Sequence, residues 1–367
     1  MIGVTACGSN NSDNKSGGTG AAAGSFNNGG AFGSGGSSGS QSNGGAVSSG
    51  GFGAFPTNGG AGGGIVVPPP SGGSSGGGGV PSTGGNGSGD STGTDGGGGA
   101  PPATDGGGGN PSNCFPSVTD YTAAGPFMTT SGDVASVQCT IFAPTTLGAN
   151  GCKNPVIVWG NGTFNTPSSY TALFNHWASH GFIVAAADTS NSGSGKEMLA
   201  CLQYMIDQST ASGSPYAGKV DTKHIASSGY SQGGAGCLEA GEDPRFVAVA
   251  AVSPFITISL GGYDTTSPTK QTHPLFMISG SADTVAVPAQ NQQPIFMEAM
   301  VPIVWATHAG SSHLEVLNNG GAYAGPLTAW FRYKLMEDPA AAKVFEKPDC
   351  TLCSQSGWMV QFNSLWK

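Results

Sequence analysis

Charge is scarce in this chain. Only 9% of its 367 residues are Asp, Glu, Lys or Arg, with 12 basic residues against 21 acidic ones. No Lys/Arg patch stands out, so no nucleic-acid partner is expected. No apolar run approaches the roughly 18 residues of a membrane-crossing helix, so no span is expected either. The scarcity is most extreme at the start. Residues 1–113 contain no Glu, Arg, Trp or Tyr and a single Lys. They contain 41 of the 65 glycines, mixed with Ser, Asn, Thr and Pro. Such a segment cannot bury enough apolar surface to offset its ordering entropy. It is expected to be a disordered Gly/Ser-rich tether with a root-mean-square span of roughly 55–65 Å.

What remains, residues 114–367, has an ordinary globular composition with 11 basic and 17 acidic residues. About 250 residues fit one large domain, expected to act as a monomer. Val4-Thr5-Ala6-Cys7 resembles a bacterial lipobox, although only six residues precede the cysteine. A truncated lipoprotein signal, with a lipid anchor through Cys7, is the expectation, and with it an exported, surface-held protein. There are eight cysteines, and export would oxidise them. Cys201 with Cys237 and Cys139 with Cys152 are candidate pairs, and Cys350-x-x-Cys353 reads as a structural bridge. Connectivity does not follow from sequence.

Short apolar runs alternate with helical patterns in the folded part. Strands are expected at 135–143, 155–160, 182–188, 223–229, 246–252, 274–280 and 302–308. Helices are expected at 168–180, 196–207, 232–240, 294–300 and 326–337. That alternation specifies an α/β domain: a mostly parallel central sheet with helices on both faces. Ligands of such sheets bind at the carboxyl ends of the strands.

At one of those ends stands Gly229-Tyr230-Ser231-Gln232-Gly233, a G-x-S-x-G sequence. The same pattern at Gly35-Gly36-Ser37-Ser38-Gly39 lies in the Gly-rich segment and carries nothing. Only the first sits between a strand and a helix, the setting of a nucleophile elbow. The glycines are needed because a Cβ there would strike the neighbouring element. A serine hydroxyl needs a histidine to take its proton and a carboxylate to orient that histidine. In the α/β-hydrolase fold these follow the serine in the order acid, then base. Asp283, just beyond an apolar strand, is the expected acid, with Asp264 as runner-up. Asp188 precedes the serine and is expected to brace the rim. His313, in the small-residue loop Ala309–His313, is the expected base, with His308 as its rival. The oxyanion formed on attack needs two aimed N–H groups. Gln232 is expected to supply one. The loop Gly160-Asn161-Gly162-Thr163-Phe164 supplies the other, from Thr163 or else Asn161.

With these residues placed, 126–353 resembles the bacterial polyester hydrolase and cutinase-like group, which includes polyethylene terephthalate hydrolases, and the related dienelactone-hydrolase-type esterases. Trp177–Val184, Asp188-Thr189, Gly218–Asp221, Gly229–Gly234, Ala282–Ala286 and Gly310–His313 carry the likeness. The resemblance implies the triad Ser231, Asp283 and His313, no metal or cofactor, and an ester or polyester substrate. It implies a substrate contact from Phe255, at the place of an aromatic clamp, and Phe164 is a further expected substrate contact. Two departures stand out. No cysteine pair is available to join the acid and base loops, and the loop after Gly160 is about two residues longer. A surface-tethered serine esterase is therefore the leading expectation. A non-catalytic surface binding protein, a short-chain carboxylesterase and an acyltransferase of the same architecture are the alternatives.

Overall fold

The buried strand β3 (Asn154–Gly160) shows how the sheet is organised. Every residue in it is buried, which is the signature of a strand covered on both faces. Its side chains alternate. Ile157 and Trp159 enter one apolar cluster, and Val156 and Val158 the other. The computed structural model describes residues 114–257 and 260–367. The expected tether and the Cys7 anchor lie outside the described residues.

The chain enters as an antiparallel pair, β1 (Thr129–Val134) and β2 (Cys139–Pro144), followed by β3. Then come α1 (Thr171–Ser179), β4 (Ile183–Ala187), α2 (Lys196–Thr210), β5 (Val220–Tyr230), α3 (Gln232–Ala240) and β6 (Ala248–Val252). A short α4 (Ser267–Lys270) leads to β7 (Leu275–Gly280), α5 (Pro288–Glu298), β8 (Ile303–His308) and α6 (Ala324–Met336). Two brief helices, α7 (Pro339–Ala342) and α8 (Thr351–Ser354), precede β9 (Trp358–Phe362). The strands form one nine-stranded sheet in the order β1-β2-β4-β3-β5-β6-β7-β8-β9. From β4 to β8 all pairings are parallel, with antiparallel edges at β2 and β9. Helices α1 and α6 cover one face, and α2, α3 and α5 the other. The expected fold class is the observed one.

Helix α1 covers its face with the stripe Leu173, Phe174 and Trp177, all buried. Trp159 meets Tyr170, Phe174 and Trp177 with ring centroids 5.1–5.6 Å apart. At the far end of α1, His176 Nε2 bonds the Tyr121 carbonyl and His180 Nε2 bonds the Ala123 carbonyl, so both hold the entering chain. Burial, followed by the neighbouring His176, pushes the pKa of His180 down from 6.5 to about 4. The folded state thus binds this proton less readily than the unfolded chain. Its stabilising contribution is complete above about pH 6.5 and is lost as pH falls toward 4. Melting temperature is expected to fall across that window, with a shallower slope in His180→Asn.

Several sequence expectations need correction. The helix expected at 168–180 begins as a tight 3-10 turn, Pro167–Tyr170, before α1. Helix α5 starts six residues earlier than expected because Pro288 suits a first turn, while Pro294 sits inside it. The cysteine pairs differ as well. Cys139 bonds Cys201 and Cys114 bonds Cys152, not Cys201 to Cys237 or Cys139 to Cys152. The cause is the sheet order: β2 pairs with β4, over which α2 packs, bringing Cys139 to Cys201. Cys237 turns inward from α3, where burial pushes its thiol pKa up and leaves it inert. Cys350 and Cys353 bond each other as expected.

Candidate active site

Ser231 sits where β5 breaks into α3. Its backbone adopts φ 55°, ψ −118°, a conformation that a non-glycine residue holds only under constraint. The constraint is visible on both sides. The Ser231 N–H donates to the Val252 carbonyl, and the Ser231 carbonyl accepts from Ala235 and Phe255. A Cβ on Gly229 would lie 2.1 Å from the Gly233 carbonyl oxygen, and one on Gly233 would lie 2.2 Å from that of Gly160. Both contacts are to backbone, so only glycine lets α3 start this close to β3 and β5.

Three strand ends converge at this apex. Asp283 follows β7, where its Oδ1 accepts the Val285 and Ala286 amides at 2.9 and 2.8 Å. That turn leaves Oδ2 facing His313 Nδ1 at 2.8 Å. His313 follows β8 at the head of a 3-10 turn capped by Ser312. Its Nε2 lies 2.9 Å from Ser231 Oγ. All three side chains are nearly buried. Burial works to raise the Asp283 pKa. The bond from His313 and the two amides outweigh it and hold the carboxyl below the ordinary carboxylate range. An acid kept ionised and bonded to Nδ1 fixes an imidazole with its Nε2 free to accept the serine proton.

The rivals are occupied elsewhere. His308 Nδ1 bonds Ser311 Oγ, and its ring packs on Trp358 of β9. Asp264 is exposed and paired with Lys270. Asp188 accepts the Thr140 hydroxyl at the end of β4, in keeping with a brace on the rim.

The oxyanion candidates separate cleanly. Asn161 donates its amide to Ser192 Oγ at 3.2 Å, and its side chain ties the Ala187 and Thr189 carbonyls at 2.6 and 2.8 Å. It therefore braces the rim, which corrects the expectation of a free N–H there. Gly162 donates to the Tyr170 hydroxyl. Thr163 occupies the second place of a turn closed by Asn165 N–H on the Gly162 carbonyl, with Phe164 at φ 65° behind it. Its amide and that of Gln232, at the start of α3, have no protein acceptor among the described residues. Phe164 is 92% exposed, and Phe255 is half-buried with its amide on the Ser231 carbonyl. Val285, two residues after Asp283, and Leu314, beside His313, are 54% and 62% exposed.

Sequence reasoning missed two supports. Tyr230 donates its hydroxyl to the His313 carbonyl at 2.8 Å and lays its ring 4.9 Å from the imidazole. Its position between Gly229 and Ser231 was the available signal. The Gln232 side chain accepts the Ser192 amide at 3.0 Å and so anchors the loop that holds Asn161. The acid and base loops, which lack a cysteine pair, are joined instead by Ala282 N–H on the Ser311 carbonyl and Gly310 N–H on Ser281 Oγ. Among the described residues no group of three or more His, Cys, Asp or Glu could hold a metal.

A family model described as PET hydrolase-like matches residues 107–343, well over half of the chain. The chain belongs to that family. The PET hydrolase-like match spans the strands and loops that carry all three converging side chains. Among curated relatives, the chain is 28% identical to cutinase est1 of Thermobifida alba over 192 residues, 48% of this chain and 59% of that protein. It is 27% identical to a bis(hydroxyethyl) terephthalate hydrolase of Streptomyces coelicolor over 184 residues, 47% of this chain and 55% of that one. It is 28% identical to cutinase est2 of Thermobifida alba over 188 residues, 48% of this chain and 58% of the relative. The chain thus spans little more than half the length of each.

Proposed function

We propose that this protein is a serine hydrolase of carboxylic esters acting on a bulky polymer, a polyester or an acylated chain. The observation that carries the proposal is the line from Ser231 Oγ to His313 Nε2 at 2.9 Å and from Nδ1 to Asp283 at 2.8 Å. Ser231 Oγ attacks the ester carbonyl as His313 takes its proton, with Asp283 stabilising the resulting imidazolium. The tetrahedral oxyanion is held by the Gln232 and Thr163 amides, and the start of α3 adds its dipole. His313 returns the proton to the departing alcohol. Water, activated by the same imidazole, then releases the acid and restores Ser231. Phe164, Phe255, Val285 and Leu314 offer apolar surface around this chemistry for the acyl side of the substrate. The cutinase and terephthalate-ester names of the relatives support the same substrate class. Three disulfides support an oxidising, exported setting for the enzyme. No helix among the described residues is long and apolar enough to cross a membrane.

The test is covalent. Incubation with diethyl p-nitrophenyl phosphate, followed by peptide mass spectrometry, should place one diethylphosphoryl group on Ser231. Labelling at another serine, or none while the protein remains folded, sinks the assignment. The oxyanion assignment has its own variant. Thr163→Pro deletes an N–H at a turn position that accepts proline, so the fold should persist. Turnover of p-nitrophenyl acetate should fall by about 10²–10³-fold.

A further inference from the structure

Along the same rim lies a cleft of about 390 Å³ between the β1–β2 pair and the approach to α1. Asp133, Thr140 and Phe142 line it from the pair, Thr166 and Ser168 from the segment before α1, and Asp188 from the end of β4. Thr140 Oγ lies 2.6 Å from Asp188 Oδ1 and 3.1 Å from Asp133 Oδ1. A hydroxyl has one proton to give. The nearer carboxylate takes it, and Asp133 is left facing a lone pair. Neither acid takes part in any ion pair among the described residues. The Thr166 and Ser168 hydroxyls lie 2.9 Å apart, and one bond between them leaves a second proton to donate. Phe142, buried against Phe174, closes the cleft with an apolar ring.

This combination selects its ligand. Two carboxylates repel acidic ligands, and the net charge of −9 does the same at longer range. A divalent cation would find only two acids here and no third, since no group of three or more such ligands exists among the described residues. A neutral polyol fits both needs. Its hydroxyls donate to Asp133 and Asp188 and accept from Thr166 or Ser168, above a floor to which buried Phe142 contributes.

The placement ties the cleft to the chemistry. Passing from β5, which ends at Ser231, through β3 to β4, which ends at Asp188, crosses two strand spacings, about 10 Å. The Gly160–Phe164 loop, which carries the Thr163 amide, runs directly into Thr166. We propose that the cleft is the subsite for a neutral, hydroxyl-rich chain, and that the substrate is an O-acylated neutral polysaccharide. This rests on the esterase reading above. The polysaccharide is then the leaving alcohol. The Ser231 Oγ–C bond forms first, and the ester C–O bond then breaks as His313 passes the serine proton to the sugar oxygen. Water then carries the acyl group away as the acid.

The full-length protein can be run through native gels containing deacetylated xylan. Wild type and Ser231→Ala should both be retarded, and Asp133→Ala and the gentler Asp133→Asn should not. On acetylated xylan against p-nitrophenyl acetate, the ratio of kcat/KM should fall about tenfold in either Asp133 variant. Mobility unaffected by xylan, or equal retardation of wild type and both variants, overturns the subsite. Retardation that requires added calcium and disappears with a chelator also overturns it, in favour of a cation site. Wild type that fails to cleave p-nitrophenyl acetate defeats the esterase reading, whereas the gel decides the cleft independently.

Discussion

Ser231→Ala and His313→Ala are each expected to lower kcat on p-nitrophenyl acetate by about 10⁶-fold, and Asp283→Asn by about 10⁴-fold. The first two remove the proposed nucleophile and its proposed base outright. The third leaves the imidazole in place but lets an amide N–H face Nδ1, which favours the wrong tautomer. Because the three groups act as one unit, the double variant Ser231→Ala/His313→Ala should be no slower than either single one. Burst kinetics and steady-state turnover measure these losses, with far-UV circular dichroism confirming the fold. Wild-type rates in His313→Ala would transfer the base to His308, although that ring is bound to Ser311 and Trp358. A rate that survives Ser231→Ala would remove the acyl-enzyme altogether.

Loss of the Cys139–Cys201 bridge should have the largest effect on stability. The two cysteines are 62 residues apart in sequence and both fully buried. Closing a loop of that length removes about 4 kcal/mol worth of unfolded-state entropy. The double variant Cys139→Ala/Cys201→Ala should therefore lose about 4 kcal/mol and melt roughly 8–16 °C lower. Cys350→Ala/Cys353→Ala opens a loop only three residues long in separation and should lose about half as much. Urea titrations of both pairs measure the contrast. Equal losses would mean that the bridges act by fixing native geometry rather than by restricting the unfolded chain.

The parallel core was legible because its physics is local. Pro155–Gly160 and Leu275–Ile278 are apolar runs, and both strands are buried throughout, as strands covered on both faces must be. The elbow was legible because glycine, serine and glycine are fixed there by close approach. The edges were not. β1 reads TTSGDV and its residues are mostly exposed, so it gains its conformation from pairing with β2 rather than from its own pattern. β9 likewise depends on the free edge of β8. The disulfide partners follow from strand order, which no local pattern records. The loss of Asn161 as a donor turned on Ser192, thirty-one residues away.

The loops bearing Asp283 and His313 are fastened to each other by backbone and hydroxyl bonds and by the Asp283–His313 contact itself, with no disulfide between them. Dithiothreitol therefore cuts no bond between those two loops. Reduction should shorten its working life in warm solution while each molecule still intact turns over at an undiminished pace.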